Sequence, residues 1–460
     1  MKKNVLFVLT DDQRFNTIHA LGNPDVITPT MDWLVENGTA FTQAHIPCGT
    51  CGAVCMPSRA MLNTGRTLFH LEGEGQTIPL AHTTLGEMFK EAGYRCFGTG
   101  KWHNGPDAFT RSFHDGENIF FGGMWDHWNV PVCHYDATGE YDNVIDFVVD
   151  FWNTNEVTKV HCDAFNPGVH SSTLLTNTAI QYLQQRPAQA ENPFFLYLAY
   201  LAPHDPRTMP QKYKDMYDPD KLTLPKNCMT EHPFLFGVEN IRDEKLAAYP
   251  RTETELRRQL AEYYGMITHL DAELGRVIDT LREKDQLKDT IIVFAADNGL
   301  GMGSHGLMGK QNHYEESVRV PLIFCGPDIP AGQRVEQYVY LLDVFPTLCE
   351  LIGQPVPVSV EGKSFAAMLH APSVKTRQDL YFAYNDLLRS VKKEGWKLIE
   401  YRGPAHRTQL FNLNEDPLEL DNLAEKLPDK VGELRQLMQR YRADWEDGGH
   451  RYSQNFWQNF

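Results

Sequence analysis

The chain has 460 residues, enough for two or three domains. Hydrophobic residues make up 42% and charged residues 22%, an ordinary globular composition that excludes a disordered, collagen-like or coiled-coil protein. The formal net charge of -17 argues against nucleic acid or a membrane surface as the main partner, although a cationic pocket could still take a small anionic substrate.

The first residues predict a buried strand rather than an export signal. An apolar run follows Met1-Lys2-Lys3 and ends at Asp11-Asp12, with no small-residue cleavage site. A cytoplasmic location is therefore expected, with a periplasmic one left open if the natural N-terminus were trimmed. No apolar run approaches about 18 residues, so no membrane-spanning helix is expected.

Short apolar runs alternate with helical patterns along most of the chain. The runs Val5–Leu9, Phe194–Leu201 and Ile291–Ala296 are typical of strands covered on both faces. Thr173–Gln185 and Thr254–Lys284 carry apolar residues at helical spacing. The alternation predicts an α/β fold with a large mixed, mostly parallel sheet sandwiched by helices. In such a fold the active site lies beyond the carboxyl ends of the strands.

A change of composition near residues 353–375 predicts a smaller second unit. Short strand patterns and a closing helix, Pro428–Glu446, follow it. We therefore expect a catalytic domain over residues 1–370 and a C-terminal subdomain over residues 371–460. The subdomain is predicted to be an antiparallel sheet plus helix that completes the substrate pocket.

The most distinctive segment begins at Cys55 and reads Cys-Met-Pro-Ser-Arg, followed by Thr64-Gly65-Arg66. Taken alone, Cys55 could be a buried thiol at a helix start or a thiol activated by the helix N-terminus, and the spacing alone favours the buried thiol. Cys48-x-x-Cys51 could bind zinc or act as a redox pair, but no second Cys or His pair follows at zinc-finger spacing. The nine cysteines are an odd number scattered over a long chain, which does not indicate a disulfide framework.

The segment from Cys55 to Arg66 resembles the signature of the formylglycine-dependent type I sulfatases of the alkaline phosphatase superfamily, and of bacterial carbohydrate sulfatases among them. The resemblance implies that a formylglycine-forming maturation enzyme oxidises Cys55 to formylglycine, whose hydrated aldehyde is the nucleophile. It covers most of residues 4–350 and implies an alkaline phosphatase-like fold. Further motifs of the family follow in order: Asp11-Asp12, Gly100-Lys101-Trp102-His103, Pro203-His204-Asp205-Pro206, Asp297-Asn298-Gly299, Gly306 to Lys310, Tyr314 to Pro321, Gly395 to Leu398 and Leu410 to Pro417.

The resemblance makes Asp11, Asp12, Asp297 and Asn298, together with the modified Cys55, the ligands of a divalent cation. Carboxylate and amide oxygens suit Ca²⁺, or alternatively Mg²⁺, over zinc. Either pair alone could instead cap a helix after a strand. Three carboxylates gathered beside Cys55 would repel one another without a metal, which favours the cation.

Sulfate-ester hydrolysis needs positive charge around the sulfonyl oxygens and a proton for the leaving alcohol. Arg59, Lys101 and Lys310 could supply the charge. The resemblance implies that His204 protonates the leaving oxygen. It also implies that His103 removes the proton from the second hydroxyl of the aldehyde hydrate, which then expels sulfate. Each of these residues could instead be a solvated lysine or a hydrogen-bonded structural histidine.

The aromatic segment at residues 120–129 indicates a possible sugar platform, because Trp125 can stack on a sugar ring and His127 can bond hydroxyls. Trp102 and His305 are further candidates for substrate contact. The alternative is that these side chains pack a long insertion onto the core.

The predicted activity is therefore sulfate-monoester hydrolysis, with a sulfated mono- or oligosaccharide as the expected substrate. Two rivals stay open. One is a phosphodiesterase or phosphonate monoester hydrolase of the same superfamily, and the other is a carbohydrate-binding protein with a decayed catalytic site. The sequence makes no prediction of the oligomeric state.

Overall fold

The computed structural model describes residues 2–187 and 190–460. Its strands are β1 (Asn4–Thr10), β2 (Gly38–Phe41), β3 (Ala44–His45), β4 (Cys48–Gly49), β5 (Arg95–Lys101), β6 (Asp115–Phe120), β7 (Pro131–Val132), β8 (Val144–Asp150), β9 (Glu156–His161), β10 (Ala164–Phe165), β11 (Phe194–Ala199), β12 (Thr290–Ala296), β13 (Leu322–Cys325), β14 (Gln333–Val335), β15 (Val339–Tyr340), β16 (Asp379–Tyr384), β17 (Leu388–Lys393), β18 (Trp396–Arg402) and β19 (His406–Asn412). Its α-helices are α1 (Pro29–Asn37), α2 (Cys55–Thr64), α3 (Leu85–Glu91), α4 (Pro106–Ser112), α5 (Ser171–Gln185), α6 (Gln211–Lys214), α7 (Glu253–Glu283), α8 (Glu315–Val318), α9 (Val344–Leu351), α10 (Ala366–His370), α11 (Pro428–Asp444) and α12 (Gln454–Gln458).

The main sheet has the strand order β14-β2-β13-β12-β1-β11-β5-β6. The central strands β12, β1, β11 and β5 pair in parallel, as does β5 with β6. β13 runs antiparallel to both of its neighbours, β12 and β2. The predicted large, mixed and mostly parallel sheet is confirmed.

Helices cover both faces of this sheet. Along β1, Val5, Phe7 and Leu9 belong to one buried cluster, and Leu6 and Val8 belong to the other. Residues of α2, α3 and α9 join the first cluster, and residues of α1, α5 and α7 join the second. Because both faces are buried, nearly every position of the central strands is apolar, which is why they are visible as short apolar runs in the sequence.

The longest helix, α7, begins and ends within one residue of the predicted Thr254–Lys284. The Thr252 hydroxyl accepts a hydrogen bond from the backbone N–H of Glu255, which satisfies one of the free donors at the start of the helix. Its apolar stripe packs on the sheet beside α5. The two predicted helices therefore form one layer behind the central strands.

The C-terminal sheet has the order β19-β18-β17-β16-β4, with α11 packed against it. Its pairings are antiparallel except for that of β16 with β4. Since β4 is Cys48–Gly49, this sheet anchors the segment that leads into Cys55. The expected antiparallel sheet plus helix is present, while the division at residue 370 stays a prediction.

A two-stranded hairpin, β8 with β9, stands apart from both sheets. At its turn, Phe151 is 65% exposed and Trp152 is 84% exposed. Within the described ranges 2–187 and 190–460, no helix combines the length and apolar character needed to cross a bilayer.

Candidate active site

The predicted site residues meet where neighbouring strands of the main sheet end. Because β12, β1, β11 and β5 are adjacent and parallel, the residues that follow them lie at one edge of the sheet. This edge collects the following polar side chains: Asp11 and Asp12 after β1, Lys101 and His103 at the end of β5, His204 after β11, and Asp297 and Asn298 after β12. α2 brings Cys55 at its first residue and Arg59 one turn later.

Glycine at position 100 lets β5 deliver Lys101 to this edge. Gly100 has a φ of 92°, and a Cβ on it would lie 1.9 Å from the carbonyl oxygen of Ala199 on the neighbouring strand. No other residue fits this backbone without displacing β11. Lys101, fully buried, then forms an ion pair with Asp11 and donates a hydrogen bond to the Gly123 carbonyl.

The guanidinium group of Arg59 makes three polar contacts inside the protein. Its Nε donates to Asp297 Oδ2 at 2.7 Å, and its Nη2 lies 3.6 Å from Asp11 Oδ2. Another guanidinium nitrogen donates to the Lys101 carbonyl. With these partners and no solvent exposure, Arg59 fixes the two carboxylates. Its Nη2 has no hydrogen-bond partner among the described residues.

The carboxylates are arranged for a cation. Asp11 Oδ1 and Asn298 Oδ1 are buried and have no hydrogen-bond partner among the described residues. Ligand atoms of Asp11, Cys55 and Asp297 all lie within 4.8 Å of one another. Buried oxygens without partners are costly, so this donor set fits a hard divalent cation.

The charges of these carboxylates interact strongly. Burial alone would raise the pKa of Asp11, but Lys101 and the neighbouring cations lower it. Burial and the charge of Asp11 raise the pKa of Asp297 to about 6. The two carboxylates are therefore difficult to ionise together, and a bound cation would relieve their repulsion.

Cys55 lies against two candidate catalytic residues. Its Sγ is 3.6 Å from Lys101 Nζ and 3.5 Å from His103 Nδ1. Burial raises the pKa of the Cys55 thiol despite the nearby lysines, so it is a thiol and not a reactive thiolate at neutral pH. Burial, followed by the charge of Lys101, lowers the pKa of His103 well below its usual range. His103 is therefore neutral and able to accept a proton.

The side chains of Lys310 and His204 both contact the carboxylate of Asp12. Lys310 Nζ lies 2.6 Å from Asp12 Oδ1, and His204 Nε2 lies 3.5 Å from Asp12 Oδ2. His204 Nδ1 donates to the Asp205 carbonyl at 2.7 Å, which leaves Nε2 as the nitrogen that faces the pocket. All six predicted catalytic residues are thus within one cluster around Cys55 and the carboxylates.

Three of the four predicted substrate contacts do not fit their positions. Trp102 is 1% exposed, packs against Phe109 and Phe113, and donates its indole N–H to the Gly105 carbonyl. His127 is buried with both ring nitrogens hydrogen-bonded inside the protein. His305 is 3% exposed and stacks on another ring.

These side chains pack against neighbouring groups inside the protein. Trp102 packs edge-on against the ring of Phe109, and His305 stacks on Tyr314 with ring centroids 3.6 Å apart. Trp125 is half-buried and packs beside Phe147 of the hairpin at 5.7 Å. Its contact with substrate stays a prediction.

Several further residues lie beside the catalytic ones, although the sequence analysis gave none of them a role. Asp205, next to His204, forms an ion pair with the half-exposed Arg242. Asp243 accepts a hydrogen bond from Gln311 at 2.7 Å, beside Lys310. Asp205 belongs to a motif and Gln311 follows Lys310, so both could have been found from the sequence, whereas Arg242 and Asp243 lie in a short 3₁₀ helix that no motif marks.

Comparison with known proteins agrees with this geometry. A family model described as "Sulfatase" matches residues 3–354, and one described as "N-sulphoglucosamine sulphohydrolase, C-terminal" matches residues 303–444. The chain belongs to the sulfatase family. The resemblance predicted from the motifs is confirmed, and so is the prediction that the protein is a sulfuric ester hydrolase.

This sulfatase has relatives of similar length. A sulfatase of Formosa agariphila is 28% identical over 97% of this chain and 88% of its own. A solved structure of an enzyme with its substrate D-glucosamine-2-N,6-O-disulfate has a TM-score of 0.74 at 20% identity, covering 98% of this chain and 99% of that one. The phosphonate monoester hydrolase of Agrobacterium radiobacter has a TM-score of 0.75 at 21% identity, with 96% of each chain covered. At such identities the structural likeness shows the fold, which is alkaline phosphatase-like.

Proposed function

We propose that this sulfatase hydrolyses a sulfate monoester of a sugar, using a formylglycine made from Cys55 and a bound Ca²⁺, with Mg²⁺ as the alternative. The observation that carries the proposal is the position of Cys55 Sγ. It lies within 3.6 Å of Lys101 Nζ and His103 Nδ1, at the edge of the carboxylate cluster. A nucleophile placed there meets both the positive charge and the base that sulfate transfer needs.

Asp11, Asp12, Asp297 and Asn298, with the modified Cys55, would hold the cation. Their oxygens are the ligands that Ca²⁺ and Mg²⁺ prefer. The unpartnered Oδ1 atoms of Asp11 and Asn298 support this assignment. When bound, the cation would supply positive charge beside the sulfonyl group and would favour ionisation of a hydroxyl of the hydrated aldehyde.

The lysines bind and orient the sulfonyl group. Lys101 and Lys310 are almost wholly buried, and their ammonium groups are paired with Asp11 and Asp12, respectively. Burial alone would lower the pKa of each lysine, but the paired carboxylates raise it, so both are charged. Two fixed cations in a dry site favour a transition state with charge on the sulfonyl oxygens.

The two histidines move protons at opposite ends of the reaction. The His204 Nδ1–H is committed to the Asp205 carbonyl, so a proton on Nε2 is the one available to the leaving oxygen. His103, neutral and 3.5 Å from Cys55 Sγ, is placed to accept a proton from the group at that position. This division of roles matches the one implied by the family resemblance.

A sugar is the proposed alcohol. One structural neighbour is described with a disulfated glucosamine as its substrate. Trp125 is half-buried and lies two residues after Gly123, whose carbonyl accepts a hydrogen bond from Lys101. The maturation enzyme and the compartment stay predictions.

Phosphonate monoester hydrolysis is the second candidate, favoured by the likeness to the hydrolase of Agrobacterium radiobacter. The test is to compare turnover of 4-nitrophenyl sulfate with that of 4-nitrophenyl phenylphosphonate, and then to screen monosulfated sugars. Preferred hydrolysis of the sulfate supports the proposal, and preferred hydrolysis of the phosphonate supports the second candidate. Cys55→Ala is the control, and sugar binding without any turnover by the wild type would support the decayed binding protein instead.

A further inference from the structure

The loop that carries His204, residues 201–208, lies outside helices and strands, so its backbone needs partners elsewhere. Two of its carbonyls are bonded by buried histidine rings. His127 Nε2 donates to the His204 carbonyl at 2.9 Å, and His170 Nε2 donates to the Thr208 carbonyl at 2.9 Å. Among the remaining carbonyls of the loop, those of Leu201, Ala202 and Pro206 accept backbone N–H groups. The Asp205 carbonyl accepts the Nδ1–H of His204.

The two histidine rings are themselves fixed. They stack with centroids 5.2 Å apart and 8° between planes. His127 Nδ1 lies 2.7 Å from the Ser171 hydroxyl, and His170 Nδ1 accepts the backbone N–H of Ser172 at the start of α5. Both rings are at most 2% exposed. The clamp formed by His127 and His170 therefore ties the His204 loop to the first turn of a core helix.

These contacts determine which nitrogens carry hydrogen. A carbonyl can only accept, so Nε2 of each clamp histidine must donate. Burial lowers the pKa of His127 to about 4 and that of His170 to about 2, so both rings are neutral. Each ring then has a single N–H, which donates its hydrogen bond to a carbonyl of the His204 loop.

We propose that His127 and His170 are positioning residues that hold the His204 loop so that His204 Nε2 meets the leaving oxygen of the ester. The inference rests on the proposed role of His204 as the proton donor. Without the His127 N–H, the buried His204 carbonyl loses its partner and the loop must shift to find another. A shift of about 1 Å in a catalytic group can cost about 100-fold in rate.

The proposal predicts a dependence on the leaving group that a structural role alone would not produce. A sugar alkoxide departs poorly without a proton, whereas 4-nitrophenolate departs well. His127→Ala should therefore lower kcat for an alkyl or sugar sulfate about 10–100-fold and lower that for 4-nitrophenyl sulfate much less. KM should change little for either ester, because the groups that bind the sulfonyl oxygens are untouched.

Two further variants keep the test decisive. His127→Gln retains an amide N–H that can reach the same carbonyl, so it should restore part of the lost turnover of the sugar ester. His269→Ala is the matched control. His269 packs edge-on against His170 with ring centroids 4.6 Å apart, bonds to Thr173 at 3.3 Å and makes no bond to the His204 loop, so its loss should lower stability without changing the ratio of the two activities.

The experiment is steady-state kinetics of these variants on both esters, together with a crystal structure of His127→Ala. An unchanged ratio in folded His127→Ala would overturn the inference, as would a structure in which His204 has not moved. If the wild type proves to hydrolyse phosphonate esters instead, the proposed function fails. The ratio is then measured with alkyl and 4-nitrophenyl phosphonates, since proton donation to the leaving group is tested equally there.

Discussion

Arg59 Nε donates to Asp297 Oδ2 at 2.7 Å, and neither side chain reaches solvent. Removing one partner of a buried ion pair leaves an uncompensated charge, which costs about 3–5 kcal/mol. We therefore expect Arg59→Ala to lower the free energy of unfolding by about that amount and to abolish activity. The measurement is denaturant unfolding of the purified variant.

Arg258→Ala is the matched control for that prediction. Arg258 pairs with Glu255 and Glu262 on the surface of α7, and its side chain is 48% exposed. Surface pairs of this kind are worth about 1 kcal/mol or less. If Arg59→Ala were no less stable than Arg258→Ala, the structural role given to Arg59 would be wrong.

Cation affinity should fall at acid pH. The pKa of Asp297 is raised to about 6 by burial and by Asp11, so protons compete with the cation below that pH. We expect Ca²⁺ to bind about tenfold more weakly at pH 5 than at pH 7. Isothermal titration calorimetry of the EDTA-treated protein with Ca²⁺ at both pH values measures the dissociation constant. Equal Ca²⁺ affinity at pH 5 and 7 would show that Ca²⁺ binding does not require Asp297 to lose a proton.

The ion pair of His70 with Glu361, 2.7 Å apart, should stabilise the protein over a limited pH window. Burial alone would raise the pKa of Glu361, but hydrogen bonds from His70 and Thr67 lower it from 4.5 to about 2, so its contribution is complete above 4.5 and is lost as pH falls toward 2. The bond to Glu361 raises the pKa of His70 above 6.5, so its contribution is complete below 6.5 and is lost at higher pH.

Glu361→Gln should therefore differ most from the wild type between about pH 4.5 and 6.5. Thermal midpoints of both proteins from pH 3 to 9 provide the comparison. The difference between the thermal midpoints of the wild type and the variant should become smaller toward pH 3 and toward pH 9. A difference in thermal midpoint that does not change with pH would mean that the charges of His70 and Glu361 do not stabilise the protein.

Trp102 and Trp125 should respond differently to truncation. Trp102 is buried between aromatic rings of the core, so Trp102→Ala should destabilise the protein by about 3–5 kcal/mol. Trp125 is half-buried and lies two residues after Gly123, which bonds to Lys101, so a sugar platform there predicts that Trp125→Ala raises KM for a sugar sulfate and leaves KM for 4-nitrophenyl sulfate nearly unchanged. Kinetics on both esters separate the two roles, and an equal rise in both KM values would argue against a sugar platform.

The sequence predicted the scaffold of the site well because strand order determines it. β1, β11 and β12 were visible as apolar runs, and parallel neighbours bring the residues after them together. α7 was predicted to within one residue because its apolar stripe continues over its whole length. These features depend on periodicity, which a sequence displays directly.

The substrate contacts were predicted less well because they depend on how loops turn. Trp102, His127 and His305 are residue types that can contact a sugar, yet all three are buried in the protein. His103, one residue after Trp102, has a φ of 72° and turns toward Cys55. No pattern of residue types distinguishes these two directions. The hairpin β8–β9 was missed because its strands lack a regular alternation of apolar and polar residues.

The formylglycine nucleophile is the central claim, and mass spectrometry of the tryptic peptide that ends at Arg59 tests it most directly. The protein is first co-expressed with formylglycine-forming enzymes of the oxygen-dependent and radical types. We expect Cys55 to lose its thiol and gain an aldehyde, with turnover of sulfate esters rising in proportion to the modified fraction. An unmodified Cys55 in a preparation that still hydrolyses sulfate esters would contradict the proposed mechanism.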